Sequence, residues 1–183
     1  MVLLESLSLD LGHKMPDFTL DDPFGYSYNN HDLMGDKGLL IIFTCNHCPY
    51  AIAIWNRLIE SRKSYVDLGV HMVAINPNIN PDYPDDSPEA MKAKIKNDRI
   101  PFPYLVDLDQ AVAKAYQAQC TPDLYLVKPD MTLYYHGRLD DNWKDETAVT
   151  NQELLESAKR LSQNQNPPET QYPAMGCSIK WLE

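Results

Sequence analysis

The sequence predicts an α/β domain with a central mixed β-sheet flanked by helices, and three observations predict it. The run Leu39-Leu40-Ile41-Ile42-Phe43 is continuously apolar, as a strand covered on both faces must be. Beyond it, Ala51, Ile54, Trp55, Leu58 and Ile59 recur at i, i+3, i+4, i+7 and i+8, the apolar stripe of a helix. Residues 70–75 then return to a strand-forming stretch, so that strand, helix and strand make a βαβ unit.

Taken in order, residues 17–36 read as an irregular start with a hairpin around Pro23-Phe24-Gly25. The helix after the first buried strand is expected over 50–65, with Asp67-Leu68-Gly69 ending it. Residues 76–88 hold Pro77, Pro81, Pro84 and Pro88, which leaves a loop, either a simple connection or one that shapes access to the preceding turn. Ser87 then caps a short helix to about residue 97, with Pro88 at its first position. A strand over 102–106 and a short helix over 109–117 follow. Residues 124–127 and 132–136 alternate and are joined by Lys128-Pro129-Asp130-Met131, which predicts a hairpin. The last helix is expected over 150–161, capped by Thr150 with Glu153 three residues on. The whole chain, 1–183, is expected to form one domain: an N-terminal extension, a core over about 15–162, and a polar C-terminal tail over 163–183.

With 44% apolar and 23% charged residues the composition is that of a globular chain. The net charge of −10 repels phosphate backbones and anionic lipid, so neither nucleic acid nor a membrane surface is an expected partner. Residues 1–11 carry Glu5 and Asp10 and lack a basic start and a cleavage site, and the apolar run over 38–43 is too short to span a bilayer. A cytoplasmic location is therefore expected. Four cysteines are too few for a disulfide scaffold, and in a reducing compartment a close pair serves metal binding or redox chemistry more often than structure.

That close pair is Cys45-Asn46-His47-Cys48, at the first turn of the βαβ unit. A thiol attacks only as thiolate, and an unperturbed cysteine, with a pKa of roughly 8.5, is mostly protonated at neutral pH. Where a strand ends and a helix begins, unpaired N–H groups and the helix dipole favour negative charge. Cys45 is therefore expected to ionise, in the range of roughly 3.5–7.5 known for such motifs, with His47 adding positive charge. Cys48 is placed to attack the mixed disulfide that Cys45 forms. Such chemistry requires the two sulfurs to lie within bonding reach and not to be sealed in the interior. Zinc sites also use C-x-x-C, with a second pair of Cys or His ligands. Here Cys120, Cys177, His13, His31, His71 and His136 are scattered, so redox chemistry is expected, without metal or cofactor. A second feature is Cys120-Thr121-Pro122-Asp123, because a proline entering a strand marks an edge, a bulge or a cis bond.

These segments, with Phe43-Thr44 before the motif and Pro49-Tyr50 after it, Gly137-Arg138-Leu139-Asp140-Asp141, and the ending Gly176-Cys177-Ser178-Ile179-Lys180-Trp181, resemble the peroxiredoxin-like branch of the thioredoxin superfamily, the AhpC/TSA-type thioredoxin family proteins. The resemblance runs from about residue 15 to the end of the chain. It implies a thioredoxin-like fold, Cys45 as attacking and Cys48 as resolving thiol, Pro122 as a cis-proline facing them, and Thr121 offering backbone groups to an extended peptide. It further implies dithiol–disulfide exchange, with protein or small-molecule disulfides and thiols as partners. A histidine before the second cysteine is the arrangement of protein disulfide isomerases, which are more oxidising than thioredoxin.

The chain also departs from these relatives. Thr44 stands where thioredoxin has tryptophan, and no residue is assignable as the buried acid beneath the motif. Peroxiredoxins require Pro-x-x-x-Thr-x-x-Cys; with Cys48 aligned, Ile41 and Cys45 occupy the proline and threonine positions. Arg99 and Arg138 are the arginines considered for peroxide activation, and an exposed ion pair is the expected fate of each. A thiol-dependent peroxidase with antioxidant activity is the alternative function, and a copper-binding module the third. Cys120 is either a third redox thiol or a buried small side chain. Cys177 is either a second resolving thiol or incidental to a tail anchored by Trp181.

Overall fold

The computed structural model describes residues 2–182. The chain runs β1 (Leu3–Glu5), β2 (Thr19–Asp21), β3 (Ser27–Asn29), α1 (Asn30–Leu33), β4 (Gly38–Phe43), α2 (Pro49–Asp67), β5 (Val70–Asn76), α3 (Pro88–Asp98), β6 (Tyr104–Val106), α4 (Ala111–Ala115), β7 (Cys120–Thr121), β8 (Asp123–Val127), β9 (Leu133–Gly137), α5 (Glu153–Ser162) and β10 (Met175–Ser178). Seven strands form one sheet in the order β3-β2-β6-β5-β4-β8-β9, and β1, β10 and β7 form a second of three. In the large sheet β4, β5 and β6 are parallel while β8 runs against β4 and β9 against β8, so the sheet is mixed as expected.

The continuous apolar run of β4 has a simple cause, since every residue of it is buried. Leu40 and Ile42 pack on one face with Ile54, Trp55 and Leu58 of α2 and Leu154, Ala158 and Leu161 of α5. Leu39, Ile41 and Phe43 pack on the other with Phe18, Tyr116 and Tyr125. Successive side chains of a strand point to opposite faces, so a strand roofed on both sides has no polar position.

The hairpin expected in the first segment is β2–β3, closed by Asp22, whose Oδ1 accepts from the N–H groups of Phe24 (2.8 Å) and Tyr26 (3.0 Å). Ser87 caps α3 as expected, accepting from the Ala90 N–H at 3.3 Å. The expected start of the last helix is corrected: α5 begins at Glu153, and Thr150 does not cap it. The Thr150 N–H and hydroxyl both go to the Asp141 carboxylate, and Glu153 pairs with Arg138. The tail holds an unexpected strand, β10, lying antiparallel between β1 and β7. Among the described residues no helix is long and apolar enough to cross a membrane.

Register fixes where the chemistry lies. Phe43 is opposite both Ile75 and Asp123, so the segments that follow β4 and β5 and the one that precedes β8 meet at one end of the sheet. Those segments carry the cysteine motif, the proline-rich loop and Thr121-Pro122.

Candidate active site

The turn after β4 is held in place by bonds from several elements. The Thr44 N–H extends the ladder to the Ile75 carbonyl at 2.9 Å, and the Trp55 indole donates to the Cys45 carbonyl at 3.1 Å. Asn46 is clamped on three sides: its N–H donates to Asp86 Oδ1 (2.6 Å), its side-chain amide donates to the Asp85 carbonyl (2.8 Å), and its Oδ1 accepts from the Tyr104 hydroxyl (3.0 Å). His47 Nδ1 is bonded to Asp86 Oδ2, and the imidazole stacks on Tyr83 with centroids 5.2 Å apart. Asp86 is fully buried, and burial pushes its carboxyl upward against the opposing pull of the Asn46 N–H and His47. The proline-rich loop is thus part of the site rather than a simple connection.

Both sulfurs meet at Thr121. The Thr121 hydroxyl lies 3.3 Å from Cys45 Sγ, and the Thr121 carbonyl accepts from the Cys48 thiol at 3.0 Å. The Thr121–Pro122 peptide is cis, as the resemblance implies. Cys45 and Cys48 are hydrogen-bonded to each other, and no disulfide joins any cysteine among the described residues.

The expected electrostatics of the pair are corrected. Helix α2 begins at Pro49 with Cys48 as N-cap, so Cys48, not Cys45, sits at the unpaired amides. The Cys48 thiol is drawn down to about 5, first by its hydrogen bond with Cys45, then by Cys177 and the Ala51 N–H, against the cost of burial. The Cys45 thiol is pushed well up by burial, by Cys48 and by the charge of Asp86. His47 is bonded to Asp86 rather than to Cys45. Donation from Cys48 to the Thr121 carbonyl belongs to the neutral thiol and is given up on ionisation.

The requirement that the sulfurs not be sealed off is not met in this conformation. Cys45 and Cys48 are both fully covered, in a cluster with Ala51, Cys177 and the half-buried Tyr50. The cover is the C-terminal strand. Trp181 does not anchor that tail, being 37% exposed. Backbone bonds do so instead: Ile179 N–H to the Gln119 carbonyl (3.1 Å), Lys180 N–H to Asn78 Oδ1 (2.9 Å), and Gln110, which donates to the Lys180 carbonyl (2.8 Å) and accepts from Leu182 N–H (2.7 Å).

The remaining sequence candidates are placed as follows. Cys120 is fully buried, bonded to the Pro122 carbonyl at 3.6 Å and held far above its ordinary pKa by burial and Asp123, which makes it the buried small side chain. Arg138 forms an ion pair with Glu153 and lies over Tyr172. Arg99 ends α3 in the left-handed region, exposed. Cys45, His47 and Asp86 have potential ligand atoms within 4.8 Å of one another, so among the described residues they are the group that could hold a metal. The sequence reading missed Asp86, Tyr83 and Tyr104. The one signal for Asp86 was topological, since loops beyond the carboxyl ends of parallel strands line the sites of such sheets.

Comparison with known proteins adds the following. The family model described as "AhpC/TSA family" matches residues 11–136. The thiol-disulfide oxidoreductase ResA of Bacillus subtilis (strain 168) is 27% identical over 123 residues, which is 67% of this chain; the match spans 64% of that relative, less than two thirds of its length. A conserved protein from Geobacillus kaustophilus superposes with a TM-score of 0.93 at 39% identity, over 100% of this chain and 97% of its own. The thioredoxin domain of a thiol-disulfide oxidoreductase from Bacteroides vulgatus superposes with a TM-score of 0.59 at 21% identity, over 70% of this chain and 89% of its own. The fold is thioredoxin-like.

Proposed function

This chain belongs to the AhpC/TSA family, and from that premise we propose that it is a thiol–disulfide oxidoreductase working through Cys45 and Cys48. One observation carries the proposal: two thiols in mutual hydrogen-bond contact, one drawn down to about 5 at a helix N-terminus and the other held protonated beside it. The Cys48 thiolate attacks one sulfur of a substrate disulfide, forming a mixed disulfide and releasing the other sulfur as thiolate. Cys45 then loses its proton and attacks Cys48, so that a Cys45–Cys48 disulfide forms and the second substrate thiol departs. Two electrons have passed to the substrate. Asp86, within 4.8 Å of Cys45, is the acceptor for that proton, the acid that sequence reasoning left unassigned.

Substrates are protein or small-molecule disulfides, and the reverse reaction oxidises thiols. The named activity of the Bacillus relative supports this chemistry. A groove lined by Ile54, Pro122, Leu124, Leu139, Trp143 and Ala174 opens beside Pro122 and offers an apolar face to a substrate. Because both sulfurs are covered, exchange with an external disulfide requires Tyr50 or the β10 segment to give way. Reduction of insulin or glutathione disulfide by the wild type, Cys45→Ser and Cys48→Ser tests the proposal. Full turnover is expected only in the wild type, with the rate reduced in Cys45→Ser and lost in Cys48→Ser; equal rates in all three would defeat it.

A further inference from the structure

The resemblance assigns the backbone of Thr121 to an extended substrate peptide, yet in this molecule that edge is filled by the chain's own β10. The pairing is antiparallel, with Cys177 opposite Thr121 and Ser178 opposite Cys120. Cys177 thereby brings two groups to the Cys48 sulfur, its thiol and its backbone N–H. The approach is built into the backbone: a Cβ on Gly176 would lie 2.1 Å from the Thr121 carbonyl oxygen, so only glycine admits the strand at this distance. On its other side β10 is paired with β1, and beyond it the tail is fastened to Gln119, Asn78 and Gln110. The third thiol is therefore held at the pair without any movement of the chain.

We propose that Cys177 is a third redox thiol, an internal partner that moves the disulfide from Cys45–Cys48 to Cys48–Cys177. This rests on the thiol–disulfide reading above, which supplies the Cys45–Cys48 disulfide by reducing an external one. The Cys177 sulfur attacks the Cys48 sulfur; the Cys48–Cys177 bond forms as the Cys45–Cys48 bond breaks, and the electron pair leaves on Cys45. The proton lost by Cys177 ends on Cys45, so the step is an isomerisation with no net oxidation. Cys45 returns to the neutral thiol that its burial favours. Once Cys48 is in a disulfide its charge no longer opposes ionisation of Cys177, while Lys180 continues to favour it. The product leaves the substrate edge locked by a covalent bond across β10 and the helix N-cap.

The test uses the full chain equilibrated with glutathione and glutathione disulfide, acid-quenched, alkylated, digested and mapped for cross-linked peptides by mass spectrometry. Wild type is expected to give both the Cys45–Cys48 and the Cys48–Cys177 link. Cys45→Ser is expected to give Cys48–Cys177 with loss of both thiols, and Cys177→Ser to lose that link entirely. A Cys45→Ser protein with wild-type circular dichroism that carries only a glutathione adduct on Cys48 overturns the proposal. Should serine disturb the fold, the wild-type map decides, and absence of the Cys48–Cys177 link from it is equally fatal. If that link is missing while Cys45–Cys48 forms and glutathione disulfide is turned over, the exchange function stands and only the role of Cys177 falls. If neither link nor turnover appears, both readings fall.

Discussion

Replacing Cys45 with alanine tests which sulfur carries the charge. The largest cause lowering the Cys48 thiol from 9.0 to about 5 is its hydrogen bond with Cys45. A hydrogen bond to a charged group contributes about 1.5–3 kcal/mol. At 1.36 kcal/mol per pH unit its loss moves the Cys48 midpoint up by about 1–2 units, to about 6–7. The assay is the ultraviolet absorbance of thiolate in the reduced protein as pH is raised from acid. Wild type should show one early step near pH 5, Cys45→Ala the same step displaced upward, and Cys48→Ala no early step. An early step that survives in Cys48→Ala and vanishes in Cys45→Ala would put the charge on Cys45 and refute the assignment made from the helix N-cap. An undisplaced step in Cys45→Ala would refute the hydrogen bond as its cause.

Stability of the reduced protein follows the same ionisation. Cys48 has a folded pKa of about 5 against 9.0 unperturbed, so its thiolate stabilises the fold above pH 9 and that contribution is lost as pH falls through 5. Urea midpoints of the reduced protein should therefore fall between pH 9 and 5, and the slope should flatten in Cys48→Ala. Arg57 is buried and bonded to Asp140, to the Asn142 carbonyl (3.0 Å) and to the Trp143 carbonyl (2.6 Å), which ties the segment bearing Trp143 to α2. Arg57→Ala leaves Asp140 buried without its cation and should cost about 3–5 kcal/mol by denaturant unfolding. Hydrogen peroxide should oxidise the protein at about the rate of an ordinary thiolate in stopped-flow fluorescence, because Cys45 stands where a peroxidatic site needs threonine and Arg138 is engaged with Glu153.

The parts legible in the sequence are those whose cause is local. The β4–α2–β5 unit could be read because a strand covered on both faces and a helix covered on one leave distinct periods. The cysteine motif could be placed because it follows that strand directly. Asp86 could not, since it reaches the motif across 39–40 residues from a single 3-10 turn within the proline-rich segment, and nothing in Pro84-Asp85-Asp86 marks one carboxylate as buried. Met175–Ser178 contains glycine and serine and has no alternation, because its position depends on pairing with β1 and β7 rather than on its own residues. Which sulfur receives the unpaired amides turns on a single residue, since the helix begins after Cys48. Thr150 looked like a cap until Asp141, nine residues earlier, took both its donors.

The unequal pair also sets how the redox potential responds to pH. Reducing the Cys45–Cys48 disulfide takes up two electrons, and the number of protons taken up with them depends on which sulfurs remain ionised. Below about pH 5 both sulfurs are protonated; above it Cys48 stays a thiolate while burial keeps the proton on Cys45. For a two-electron couple a tenfold change in the equilibrium is about 30 mV, so the potential should fall by about 59 mV per pH unit below the break and about 30 mV above it. The same thiolate stabilises the reduced form, which makes the disulfide a stronger oxidant than one between two ordinary thiols. Titration against glutathione from pH 4 to pH 8 reads both features. A slope of about 59 mV per unit throughout would mean that neither sulfur is held ionised, and the electrostatic account of Cys48 would be wrong.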